Sequence, residues 1–128
     1  MNLTIHLLLL LATITTCSWA QVWGNDPLYL ARKFNKDVNK FAASHDKLNL
    51  ARLFVSDFKY EACDGRQHRW QDYLEVLLRD KGTGKVDTAR ADKRFIIYEV
   101  EYGTHKNQVM IRETTLGWMF ERAQEVIC

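Results

Sequence analysis

Two hydrophobic periods divide the chain. Up to residue 79, apolar residues mostly recur every three or four positions, with one alternating stretch at 57–63. Beyond Gly84 they recur every second position. The first period begins after Asp26-Pro27. The Asp can accept from the free amides of a helix start, and the Pro fits the first helical position. Leu30, Phe34, Val38 and Phe41 then form an apolar stripe, with Lys33, Lys36, Asp37 and Lys40 between. This predicts an amphipathic helix of about five turns that fades at Ser44-His45. Asp46 caps a second, shorter helix through Phe54, with Leu50, Leu53 and Phe54 on its stripe. A turn at Ser56-Asp57 leads into a strand that ends in Cys63-Asp64-Gly65. Along it Phe58, Tyr60 and Ala62 face one way, and Lys59, Glu61 and Cys63 the other.

A third helix is predicted over roughly Gln67 to Arg79. Trp70, Tyr73, Leu74, Leu77 and Leu78 are its buried face, and Gly82-Thr83-Gly84 terminates it. The alternating half starts with a weakly apolar strand, Lys85 to Ala91. Its Val86, Thr88 and Arg90 share one side and Asp87 and Ala89 the other. Phe95 to Tyr102 is the strongest strand: Ile96, Tyr98, Val100 and Tyr102 share a face, with Glu99 and Glu101 opposite. Gly103 to Asn107 is read as a turn and Gln108 to Leu116 as a strand. Gly117 breaks it, and Trp118 to Cys128 reads as a last strand or an irregular strand pair, with Glu121–Gln124 also compatible with a helical turn. Helices followed by strands predict an α+β domain, a curved and mainly antiparallel sheet wrapped around N-terminal helices.

Composition changes this picture chiefly at the N-terminus. Leu7 to Leu11 form an apolar run, and Ser18-Trp19-Ala20 places small residues at minus three and minus one, so residues 1–20 read as a signal peptide cleaved before Gln21. The expected product is a secreted, extracellular domain of residues 21–128. Residues 1–20 carry no Lys, Arg, Asp or Glu, so the formal charge of +2 belongs wholly to residues 21–128. That near balance argues neither for nucleic acid nor for an anionic membrane surface. Cys17 leaves with the signal. Cys63 and Cys128 most simply form one bridge in an oxidising compartment; a free thiol and an intermolecular bridge are the alternatives.

Asp46…Ala51-Arg52-Leu53-Phe54…Asp57-Phe58…Cys63-Asp64-Gly65, set in the order long helix, short helix, strand, helix and strand meander, resembles the nuclear transport factor 2-like domain of the cystatin-like superfamily. More narrowly, it resembles small secreted nematode members of that superfamily, which pair a Cys-x-Gly after the first strand with a Cys at the extreme C-terminus. The resemblance implies a cone of curved sheet closed by helices, with space between them for a ligand, and it allows a homodimer through the outer sheet face. It implies no reaction, because the superfamily hosts many activities on one fold.

The candidate chemistry is sparse. Tyr60 and Tyr98 lie on apolar strand faces. A buried phenol can donate to an oxyanion, although strand tyrosines more commonly pack as core with the hydroxyl at the rim. Trp70 starts the helix that closes the cone. Tyr60, Trp70 and Tyr98 are therefore the expected contacts of a small apolar ligand in the interior. Packing of the cone by its own side chains is the competing expectation. Glu99 and Glu101 point outward as cross-strand partners of Lys and Arg. His45, His68 and His105 have no partner at metal-ligand spacing. No Ser, Cys or Thr sits in the context of an activated nucleophile, and no glycine-rich phosphate loop is present. The chain is thus read as a non-enzymatic domain with no metal or cofactor. A lyase or isomerase of the same fold is one alternative. A cystatin-like protease inhibitor is another, because Gln21-Val22-Trp23-Gly24 echoes Gln-x-Val-x-Gly one residue short.

Overall fold

The computed structural model describes residues 26–127. The expected signal peptide, the Gln21–Gly24 echo and the Cys128 end of the expected bridge lie outside those residues. Within them, three helices stand on one side of a six-stranded sheet.

Helix α1, Pro27–Ala43, starts as its sequence dictates: the Asp26 carboxylate accepts from the Leu28 N–H at 3.1 Å. Its buried stripe is Ala31, Phe34, Val38 and Ala42, while Leu30 and Phe41 are half-buried flanks. His45, at φ 59°, closes it in the left-handed region. Asp46 caps α2, Lys47–Ala51, by accepting from the Asn49 N–H at 3.2 Å.

Strand β1 then runs Phe54–Glu61. The expected helix through Phe54 and turn at Ser56-Asp57 are therefore corrected. Leu53 and Phe54 fit helical spacing, but the Leu53 carbonyl accepts from the Phe120 N–H at 2.6 Å and draws the chain into the sheet. An irregularity between Phe54 and Lys59 lets Phe54 and Val55, which are adjacent, both be buried. A two-residue strand β2, Gln67–His68, precedes helix α3, Trp70–Arg79, so the predicted helix begins three residues late.

Strands β3 (Lys85–Asp92), β4 (Phe95–Tyr102), β5 (His105–Thr114) and β6 (Gly117–Ile127) follow. The expected five-residue turn at Gly103–Asn107 is tighter, with Tyr102 opposite His105. Residues 118–127 belong to one strand, and Glu121–Gln124 are extended, because β5 and β1 both pair with β6 and bind its backbone on two sides. The face assignment in β3 is also corrected. A bulge between Val86 and Thr88 turns the later residues over, so Val86 and Ala89 face inward and Thr88 does not.

The sheet order is β2-β1-β6-β5-β4-β3. β1 and β6 are parallel and every other pair is antiparallel. The core lies between helices and sheet. Phe34, Phe54, Phe58, Tyr73 and Phe120 meet there edge-on or stacked, with centroids 4.8–6.2 Å apart for the pairs in contact. At the head of β3, the Asn35 and Asn39 amides both donate to the Gly84 carbonyl, at 3.0 and 2.9 Å. A Cβ on Gly84 would sit 2.6 Å from Cε1 of Tyr102, so only glycine fits.

Candidate functional site

The interior offers tyrosines rather than space. Tyr60 on β1, Tyr73 on α3, and Tyr98 and Tyr102 on β4 all point inward and are buried. Alternation places the β4 pair; the α3 stripe brings Tyr73 to a centroid distance of 5.0 Å from Tyr60. Burial is the main force on each phenol, because an ionised ring in a low-dielectric core loses its hydration. It pushes Tyr73 up to about 12, with Asn107 and Tyr102 offsetting part of the rise. Tyr98 and Tyr102 are pushed well above the ordinary phenol value. Tyr60 is raised by burial and then by the carboxylate it faces.

That carboxylate is Glu125 on β6. The Tyr60 hydroxyl donates to its Oε1, and the Cys63 N–H donates to its Oε2 at 3.1 Å. Sequence reasoning missed Glu125, since only the parallel pairing of β1 with β6 brings positions 60 and 125 together. The contact supplies the inward carboxylate that general acid–base work beside Tyr60 would need. Tyr60 and Glu125 line none of five well-formed depressions among the described residues. A phenol held neutral by burial and already donating to a carboxylate is a structural clamp. Cys63 is not free, and its expected partner Cys128 is outside the described residues.

The three sequence-predicted ligand contacts therefore separate. Tyr98 packs in the core, Tyr60 is tied to Glu125, and Trp70 is half-buried against Phe54 at 5.8 Å. Trp70 also lines a groove of ≈ 390 Å³ between β1 and the start of α3, with Phe58, Lys59, His68 and Arg69 among its walls. His68 stands between two aspartates, Nε2 3.4 Å from Asp64 and Nδ1 3.4 Å from Asp72. Asp64 is lowered below its ordinary value, first by the Arg66 N–H and then by His68. No group of three or more His, Cys, Asp or Glu among the described residues could hold a metal ion.

The outer face of the sheet is different. Along one row, Arg90, Ile97, Met110, Arg122 and Lys59 stand side by side on β3, β4, β5, β6 and β1. Ile97 is 8 % exposed yet belongs to no part of the inner core. With Met110 and Ala123 it lines a depression of ≈ 210 Å³, together with Lys59, Arg122, Glu61 and the amides of Gln67, Gln108 and Gln124. Among the described residues Lys59, Arg90 and Arg122 make no ion pair, whereas the neighbouring charges are used internally. Lys106 Nζ lies 3.1 Å from Glu99, 3.6 Å from Glu101 and 3.6 Å from Asp87, and Arg112 lies 3.2 Å from Glu121. Glu99 and Glu101 thus sit outward with a lysine across the strand, as alternation implied.

No protein-family model and no curated protein matches the chain. Solved structures do. A nuclear transport factor 2-like protein with a cystatin-like fold from Novosphingobium aromaticivorans superposes with a TM-score of 0.58 at 16% identity, over 88% of each chain. A nuclear transport factor 2-like protein of unknown function in nutrient uptake from Rhodospirillum rubrum gives 0.52 at 17% identity, over 75% of this chain and 97% of that one. A de novo designed protein with a curved β-sheet gives 0.58 at 16% identity, over 75% and 96%. The chain has the nuclear transport factor 2-like fold. Identities this low carry the architecture and nothing of the activity.

Proposed function

We propose that this chain is a secreted, non-catalytic binding domain whose ligand surface is the outer face of its sheet. The observation that carries the reading is the contrast between the two faces. The inner face is filled by aromatic rings, and the outer face holds an apolar floor of Ile97 and Met110 beside Lys59 and Arg122, which make no ion pair among the described residues. A small amphipathic anion suits that chemistry. Its apolar part lies on Ile97 and Met110, and its charged group reaches Lys59 and Arg122, with the glutamine amides as hydrogen-bond partners. The apolar-ligand expectation is thus moved out of the cone, where Tyr60 is tied to Glu125 and Tyr98 packs in the core. The predicted signal peptide supports secretion, and the expected Cys63–Cys128 bridge would fit that compartment.

The test is titration of the secreted protein with octanoate by isothermal calorimetry, alongside native mass spectrometry for any retained ligand. Binding is expected, and Arg122→Glu combined with Lys59→Glu is expected to weaken it at least tenfold with the fold intact by circular dichroism. Affinity unchanged in that variant overturns the assignment of this face. N-terminal sequencing of protein from the medium is expected to begin at Gln21; protein that stays with the cells overturns the secreted reading.

A further inference from the structure

We infer that the free edge of β3 pairs with β3 of a second copy, antiparallel and in one register, to make a continuous sheet across a two-fold axis. The two edges of the sheet are unlike. At one end, β2 is two residues long and runs directly into α3. At the other, β3 offers eight residues with no strand beyond it among the described residues. An edge of that length is a template for another strand unless the sequence blocks it.

The sequence of β3 is Lys85-Val86-Asp87-Thr88-Ala89-Arg90-Ala91-Asp92. About a two-fold between Thr88 and Ala89, Lys85 meets the second copy's Asp92 and Asp87 meets its Arg90. Each contact occurs twice, as an isologous interface requires. All four opposed charge pairs are then of opposite sign. The faces agree at the three outer pairs, while the central Thr88–Ala89 pair, beside the bulge, sets an outward residue against an inward one. Lys85, Arg90 and Asp92 stand on the outer side with Glu101, Ile97 and Phe95 of β4, and Asp87 joins them there through Lys106. Val86 and Ala91 are opposite residues on the inner side, next to Val100 and Ile96. The bulge at Asp87 falls near the axis.

Sliding by two residues in either direction reverses the electrostatics, and one of the two slides also sets outward Thr88 against inward Ala91. One shift sets Lys85 against Arg90, and the other sets Asp87 against Asp92. Like charges directly opposed destabilise strand pairing, so the charges select a single register. Of the four charged residues only Asp87 has an ion partner among the described residues, the shared Lys106. Lys85, Arg90 and Asp92 are exposed and unspent. Ala91 is also exposed, although its neighbour Ile96 on β4 is buried. Beside the head of the edge, a depression of ≈ 500 Å³ between α1 and β3, lined by Arg32, Lys36 and Val86 among others, gives room for the second copy's inward-facing residues. This inference is independent of the outer-face ligand reading.

Sedimentation velocity of the secreted chain tests it with charge exchange. The wild type is expected to dimerise, more weakly as salt rises. Lys85→Asp alone and Asp92→Lys alone each turn two attractive contacts into repulsive ones, and each is expected to raise the dimer Kd about tenfold or more. Mixing the two single variants restores only attractive contacts, so a heterodimer of wild-type affinity is expected; so is a homodimer of the variant carrying both changes. Arg90→Asp gives a second disruption should either variant misfold by circular dichroism. A wild type that is monomeric at high micromolar concentration overturns the inference. So do single variants that dimerise normally, or a mixture that fails to recover. A dimer broken by Arg122→Glu but untouched by the β3 variants places the interface on the outer face and overturns it too.

Discussion

Phe120→Ala puts the filled interior to a quantitative test. Phe120 is 1% exposed and touches four other rings, with centroids at 4.8 Å to Phe54, 4.9 Å to Phe34, 5.6 Å to Tyr73 and 6.2 Å to Phe58. Removing the ring forfeits about 2 kcal/mol of transfer free energy. The surrounding rings come from α1, β1 and α3, so they cannot all close on the gap, and a residual cavity of about 80 Å³ adds roughly 2 kcal/mol at ~24 cal/mol per Å³. The expected loss is about 4 kcal/mol, a large share of the 5–15 kcal/mol typical of a domain. Equilibrium unfolding in urea, followed by circular dichroism at unchanged m-value, measures it. A dry apolar cavity of this size admits a xenon atom, so xenon under pressure should recover part of the loss through linkage. A loss under about 1.5 kcal/mol, or no response to xenon, would refute the reasoning. It would mean that Phe120 already borders open space, and the interior would return as a ligand site.

Alkali gives an independent reading of the same core. Four of the five tyrosines, Tyr60, Tyr73, Tyr98 and Tyr102, are buried with raised phenols. Folding therefore favours their protonated forms; that contribution is complete below the unfolded value of about 10 and falls progressively as pH rises above it, with Tyr73 the first to go. Absorbance at 295 nm should rise in one cooperative step together with loss of ellipticity above about pH 10; a gradual rise with the fold intact contradicts the burial. Glu125→Ala leaves the Tyr60 hydroxyl without its acceptor and should cost about 1–3 kcal/mol in urea; a neutral result would show that the clamp carries no stability. Gly84→Ala forces a Cβ into Tyr102 and should cost about 1–3 kcal/mol, with the thermal midpoint as readout. The unreduced, unfolded secreted protein should show no free thiol, and reduction should cost up to roughly 4 kcal/mol by loop entropy; one or two reactive thiols exclude the Cys63–Cys128 bridge.

Where a local period met an uninterrupted element, the structure was legible from the residues. Phe34 and Val38 mark the buried stripe of α1, and Ile96, Tyr98, Val100 and Tyr102 are all buried on β4. Legibility failed where a non-local bond overrode the period. Leu53 and Phe54 satisfy a helical spacing that Phe120, across the sheet, overrules. The bulge at Asp87 breaks the alternation of β3 at a point without glycine or proline to announce it. Two residues of β2 are too few to show any period. The candidate site suffered most, because its parts are joined by pairings that no local pattern encodes. Glu125 reaches Tyr60 only through the parallel β1–β6 ladder, and the Arg90–Ile97–Met110–Arg122–Lys59 row exists only in the register of five strands.

An aromatic-rich cone can hold a ligand or hold itself, and the position of α3 decides which. Tyr73 projects from α3 far enough to lie within 6.1 Å, centroid to centroid, of Phe54, Phe58, Tyr60 and Phe120. A helix standing off the sheet would leave that volume to a guest; here the ring occupies it. The same burial favours the neutral form of the four phenols, which suits packing and, at Tyr60, donation to Glu125. On the reading proposed above, binding falls to residues the core does not consume. Among the described residues these are the unpaired cations beside Ile97 and Met110, and the alternating charges along the free edge of β3. Both lie on the sheet, and both are separable from the core by substitutions that leave every interior contact in place.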